Sequence, residues 1–272
     1  MDLFNSIFNA VLGFYFAAFS WAPPVVGLAV LSAVVGVAML WVFRKTSDQA
    51  GMKAVKRRVY AALLEMRVFA DEPAVTWRAQ KSLFAANMRY MGLALRPALW
   101  MFLPVALLLV HLEAFYSRAP LPLGREAIVT MRMAPAWNLQ APAPVLEAPV
   151  EIAVDAPPVR ATSLREISWR IRPVTSASTR LQFTVDGQTI TKGVETGTVQ
   201  RFVAARRVGS TLETLWNPAE RRIDSKSVEW IDVSYPEAAL VIFGFRTDWL
   251  ILFFIVSMVA ALLLKKRFGV VL

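Results

Sequence analysis

One histidine, His111, stands two residues before Glu113, and the 272 residues contain no cysteine. An imidazole beside a carboxylate can form a pH-sensitive pair, because histidine titrates near neutrality. The alternative is an interfacial histidine with no special duty. A lone histidine cannot build a histidine metal cluster within one chain. The absence of cysteine excludes disulfides, thiolate metal sites and cysteine nucleophiles. The sequence holds no HExxH, GxSxG, GxxxxGK[ST] or GxGxxG pattern, so the spacings that hydrolases, zinc enzymes and nucleotide binders need are missing. Its C-terminal carboxylates form no recognisable acid–base pair. These absences predict a protein that is not an enzyme, with no catalytic residue, no cofactor and no metal site.

The residues that remain of interest suit contact rather than reaction. Ser32 and Gly36 form a small-xxx-small face within an apolar run, where another helix can approach closely. Ser257 is the one hydroxyl of a second apolar run, and with His111 these residues make a candidate groove or helix-packing surface. Lys53, Lys56, Arg57, Arg58 and Arg89 are candidates for a basic contact. Either they meet a partner, or their face is merely solvated and lipid-facing. Arg170, Arg172 and Arg180 alternate with apolar residues and are candidates for docking a partner. The alternative is a set of solvated arginines neutralised by Glu151, Asp155, Glu166 and Asp186 nearby.

Three apolar runs must position these groups. Hydrophobic residues make up 56% of the chain and charged residues 18%. The charge deficit falls in Val25–Phe43, Ala98–Leu112 and Trp249–Leu264, as expected of an integral membrane protein. The net charge of +10 is concentrated beside those runs. Between Arg44 and Arg96 eleven cations face four carboxylates, and Lys265, Lys266 and Arg267 follow the last run. Cations flanking apolar spans point to membrane lipids rather than nucleic acid, and they place the flanked segments in the cytoplasm.

The chain then divides as follows. Residues 1–22 form an amphipathic helix with a polar stripe of Asp2, Asn5, Ser6, Asn9 and Gly13, lying in the interface or, alternatively, crossing the bilayer. Residues 23–43 form a first transmembrane helix and 44–96 a basic cytoplasmic helical hairpin that ends at Arg96-Pro97. Residues 97–116 form a second transmembrane helix, kinked at Pro104. Residues 117–160, with eight prolines, read as an extended segment carrying short edge strands such as Ala127–Met133. Residues 161–238 read as an extracytoplasmic antiparallel β-sandwich of immunoglobulin-like type. Ile167/Trp169/Ile171 and Leu181/Phe183/Val185 alternate with polar residues, and Asp186-Gly187 marks a hairpin. Phe202–Ala205, Leu212–Trp216 and Val228–Val233 are further strand candidates, and Trp169, Ile171, Leu181, Phe183 and Trp230 are expected to point inward. Residues 239–264 supply an interfacial segment and a third transmembrane helix, and 265–272 a cytoplasmic tail. The expected class is an α+β membrane protein with three transmembrane helices.

The amphipathic Leu3–Phe19, the Trp21-x-Pro23 turn, the span ending Trp41-Val42-Phe43-Arg44-Lys45, the basic hairpin Ser47–Arg96 and the span after it together carry a resemblance. Residues 3–116 resemble the YidC/Oxa superfamily of membrane insertases, including its reduced archaeal members and the related subunit of the ER membrane protein complex. The resemblance is one of pattern, not of a sharp motif. It implies a cytoplasmic coiled-coil hairpin and spans bounding a hydrophilic groove that receives nascent segments. The chain departs from the bacterial pattern in having no arginine within Gly27–Phe43. Its β domain also follows the second span, whereas the large periplasmic domain of Gram-negative insertases follows an earlier one. The functional expectation is an insertase-like chaperone or scaffold of the inner (cytoplasmic) membrane that holds another membrane segment. The alternative is a structural subunit whose β domain docks an envelope or periplasmic partner.

Overall fold

The computed structural model describes residues 2–19, 21–138, 140–199, 202–242 and 244–270. The helices are α1 (Asp2–Ala18), α2 (Pro24–Thr46), α3 (Gln49–Val68), α4 (Pro73–Tyr116) and α5 (Trp249–Leu264). Among the described residues eleven strands lie between α4 and α5. They are β1 (Ala127–Met133), β2 (Val145–Glu147), β3 (Ile152–Val154), β4 (Val159–Ala161), β5 (Glu166–Pro173), β6 (Ser178–Val185), β7 (Gln188–Glu195), β8 (Arg206–Val208), β9 (Val228–Val233), β10 (Leu240–Ile242) and β11 (Phe245–Thr247). The chain forms two compact units, residues 1–25 with 107–249 and residues 26–106 with 250–272.

Among the described residues two helices, α2 and α4, are long and apolar enough to cross a membrane. With 16 residues, α5 is shorter, about 24 Å at 1.5 Å per residue. Asp48 caps α3, its Oδ1 accepting the Gly51 N–H at 2.8 Å, which satisfies a donor the helix itself cannot. The helix expected to end at Arg96-Pro97 does not end there. α4 runs through Pro97 and Pro104 as one 44-residue helix. Each proline removes only one backbone hydrogen bond, and the long flanking runs carry the helix past it.

Two antiparallel sheets share one core. The larger has the order β3-β5-β1-β9-β8, with β4 also paired to β5; the smaller has β2-β6-β7. Trp169 on β5 meets Phe183 on β6 edge to face at 5.2 Å between ring centres. Asp186 and Gly187 both have positive φ, 49° and 77°, as the tight β6–β7 turn requires. The strand Ala127–Met133, expected at an edge, is instead the centre of its sheet. β1 pairs with both β5 and β9, and Ala127, Val129, Met131 and Met133 are all buried. The core also takes Leu121, Trp137 and Ile152 from the proline-rich segment. That segment is therefore part of the β domain.

Three other expectations are corrected. Trp230 does not point inward. The β1–β9 register shifts between Arg132 and Met133, and this bulge leaves Val228, Ile231 and Val233 in the core. Trp230 faces outward under the Arg206 guanidinium, 4.4 Å from its ring centre. Phe202–Ala205 is not a strand; the Val203 N–H instead donates to the Ala114 carbonyl at 2.7 Å, satisfying a free carbonyl near the end of α4. Leu212–Trp216 folds as a single 3-10 turn over Glu213–Leu215. The expected interfacial stretch after residue 239 contains the β10–β11 hairpin; Phe243 within it lies outside the described residues.

Candidate functional site

The small residues picked out in the two apolar runs come together. A Cβ built on Gly36 of α2 would lie 2.3 Å from the Ser257 carbonyl oxygen and 2.9 Å from its Cα on α5. No side chain fits there, so the two backbones touch at this point. Ser32, one turn earlier, is fully buried. Its hydroxyl donates to the Leu28 carbonyl at 2.6 Å, and the Ser257 hydroxyl donates to Phe254 at 3.1 Å. Each donates within its own helix, so neither offers a free hydroxyl hydrogen to a guest.

Beside this contact lies a concave surface of about 340 Å³ between α2, α4 and α5. Met39, Phe43, Met101, Phe254 and Met258 line it, and Ser257 is its one hydroxyl-bearing residue. Three methionines give it an adaptable, polarisable wall. The lining of this concavity is thus apolar. His111, the fourth candidate for the groove, belongs to the other compact unit. It is buried against Phe8, with ring centres 4.4 Å apart, and its Nδ1 lies 2.8 Å from the Leu107 carbonyl. A carbonyl only accepts, so Nδ1 carries the hydrogen. Glu113 is exposed, and residues two apart on a helix do not face each other. The imidazole–carboxylate pair therefore does not form.

The basic candidates separate in the same way. Lys53, Arg57 and Arg58 are exposed on α3 and Lys56 is half-buried there; Arg89 is exposed on α4. Arg170 and Arg172 lie on β5, but Arg180 is on β6 in the other sheet, so the three make no common stripe. Arg170 pairs with Glu126 at 3.2 Å. Arg172 grips Asp155 with two hydrogen bonds of 3.0 and 2.8 Å and holds its carboxyl below the usual range. No family model, no curated protein and no solved structure matches this chain. Among the described residues no cluster of metal-ligating side chains occurs.

One polar cluster was not foreseen. Lys192 on β7 is fully buried, and its ammonium donates to Glu220 Oε2 at 2.6 Å and to the carbonyls of Gly193 and Ala204. Glu220 Oε1 accepts the Gly193 N–H at 2.7 Å. Burial pushes the lysine pKa down and the carboxylate opposes that shift. Arg207 adds bonds to Thr191, Arg221 and Arg222. Together these groups fasten the 202–223 segment to the edge of the smaller sheet. The sequence did carry a signal. Lys192 sits at the inward step of an alternation between Ile190 and Val194, where a lysine must find a buried partner.

Proposed function

We propose that this protein is a non-enzymatic integral membrane scaffold that holds another apolar membrane segment against the α2–α5 pair. The observation that carries this reading is the apolar, methionine-lined concavity beside the Gly36–Ser257 contact. A helix that must leave lipid for protein gains little from hydrophobicity, so close packing and shape provide the attraction. The concavity supplies both, whereas a hydrophilic insertase groove would need free hydrogen-bond donors that Ser32 and Ser257 do not offer. Holding, rather than translocating, is therefore the better account of the site, within a layout that resembles the YidC/Oxa insertases over residues 3–116. Capture of a membrane segment by a photoreactive residue in the concavity tests it.

The proposed topology is three spans in the inner membrane, with the hairpin and the C-terminus in the cytoplasm and the β domain outside. Trp249 and the cations Lys265–Arg267 bracket α5, and a short span is accommodated by local bilayer thinning. Strand order supports the immunoglobulin-like reading of the β domain. With the additional strands β8 and β4 set aside, the orders β3-β5-β1-β9 and β2-β6-β7 match the D-E-B-A and C-F-G sheets of that fold, with β9 in the position of strand A. Because the chain has no cysteine, single cysteines report the orientation directly. A membrane-impermeant thiol reagent added to intact cells is expected to label Gln188→Cys, at the start of β7, and to spare Lys56→Cys. The opposite pattern reverses the topology.

A further inference from the structure

Asn5 and Asn9 lie one turn apart and share a face of α1. The Asn5 amide donates to the Thr214 carbonyl at 3.5 Å and the Asn9 amide to Pro218 at 2.8 Å. The other face of α1 carries Ile7, Val11 and Phe14, all exposed. The buried face of α1 combines Asn5 with Leu12 and Phe16, while the outward face is apolar, so that outward face suits lipid rather than water. The segment gripped by the two asparagines has the same character. Leu212 is 76% exposed and Trp216 70%.

The position of that segment along α4 fixes its depth. Residues 216–219 line one cavity with Val110, Glu113 and Ala114 of α4. Val110 precedes Tyr116 by about 9 Å of helix axis at 1.5 Å per residue. The apolar run of α4 ends at Leu112, and Glu113 is the next residue. Trp216 therefore lies level with the change from apolar to charged helix. Tryptophan is favoured at that depth because its ring is apolar with one polar N–H.

We propose that Ser210–Ala219 is a membrane-interface anchor, with Leu212 and Trp216 inserted in the outer-leaflet lipid and the segment clamped to α1 through Asn5 and Asn9. The proposal rests on α4 crossing the bilayer. The neighbouring cavity mixes Glu113 and Asp232 with Arg118 and Arg206, so its charges are balanced and the anchor needs lipid but not anionic lipid.

The test uses the full chain in phosphatidylcholine vesicles, with an environment-sensitive NBD fluorophore on single cysteines at L212C, Q188C and F102C. Phe102 is an exposed residue in the apolar half of α4. With iodide on both sides of the vesicles, L212C is expected to behave like F102C, quenched by doxyl-labelled lipid and shielded from iodide. Q188C is expected to do the reverse. Adding N5A and N9A to L212C is expected to raise iodide quenching toward the Q188C level. An L212C probe as open to iodide as Q188C, while F102C stays in lipid, overturns the anchor. An L212C probe that stays in lipid despite N5A and N9A overturns the clamp. A water-exposed F102C overturns the membrane-spanning reading beneath both.

Discussion

Trp169→Ala is expected to destabilise the β domain by about 3–5 kcal/mol, the cost of removing a buried large aromatic side chain. Trp169 is 2% exposed and packs against Phe183 across the two sheets. Its loss opens the core between them, and a domain of ordinary stability has little reserve against such a change. Trp230→Ala is the control. Trp230 is half-buried on the outer face under Arg206, so its truncation removes less buried surface than that of Trp169 and is expected to cost less. Proteolysis of the full-length protein across a urea series measures both. The β domain of the Trp169 variant should become cleavable at much lower urea than that of the Trp230 variant. Equal sensitivity of the two would contradict the assigned register of β9.

Glu220→Gln is expected to cost about 3–5 kcal/mol, because it leaves the Lys192 ammonium buried without a counter-charge. Replacing both partners, as Lys192→Met with Glu220→Leu, should recover most of that loss, since apolar residues need no partner. The pH dependence follows from the direction of the lysine shift. In the folded protein Lys192 releases its proton below the usual lysine value, so the unfolded chain binds more protons and stability rises with pH through that range. Removing the carboxylate lowers the folded pKa further. The deficit of Glu220→Gln against the unsubstituted protein should therefore narrow as the pH rises toward the ordinary lysine value. Thermal unfolding of the β domain from neutral to alkaline pH measures it, and a deficit that widens would refute the Lys192–Glu220 pairing.

What was legible in the sequence was local. The alternation of Ile167, Trp169 and Ile171 and the Asp186-Gly187 turn each depend on a few adjacent residues, and the structure places them as expected. The spacing of Ser32 and Gly36 marked a helix-packing face, but only the fold supplies Ser257 as its partner. Pairings distant in sequence were not legible. The centrality of β1 depends on β9, far later in the chain, and the prolines around β1 made it read as an edge strand. The bulge that turns Trp230 outward is a property of two strands together, so a strict two-residue period in one strand misplaces it. The polar stripe of α1 was visible, but its use was not. Asn5 and Asn9 bind carbonyls that are recognisable as free only once residues 210–219 have folded as an irregular turn.

Photocrosslinking from Met258, in the concavity, tests the central claim most directly, with the same photoreactive residue at Arg170 on the β domain as comparison. The scaffold account predicts a light-dependent adduct between Met258 and a membrane-embedded segment of another protein. That adduct should persist in mature protein long after a synthesis pulse, with no matching adduct at Arg170. An adduct at Met258 that appears only with nascent chains and decays during the chase would instead place the protein among active insertases. A single stable partner at Arg170, with nothing captured at Met258, would contradict the scaffold account and leave the spans as an anchor for a docking β domain.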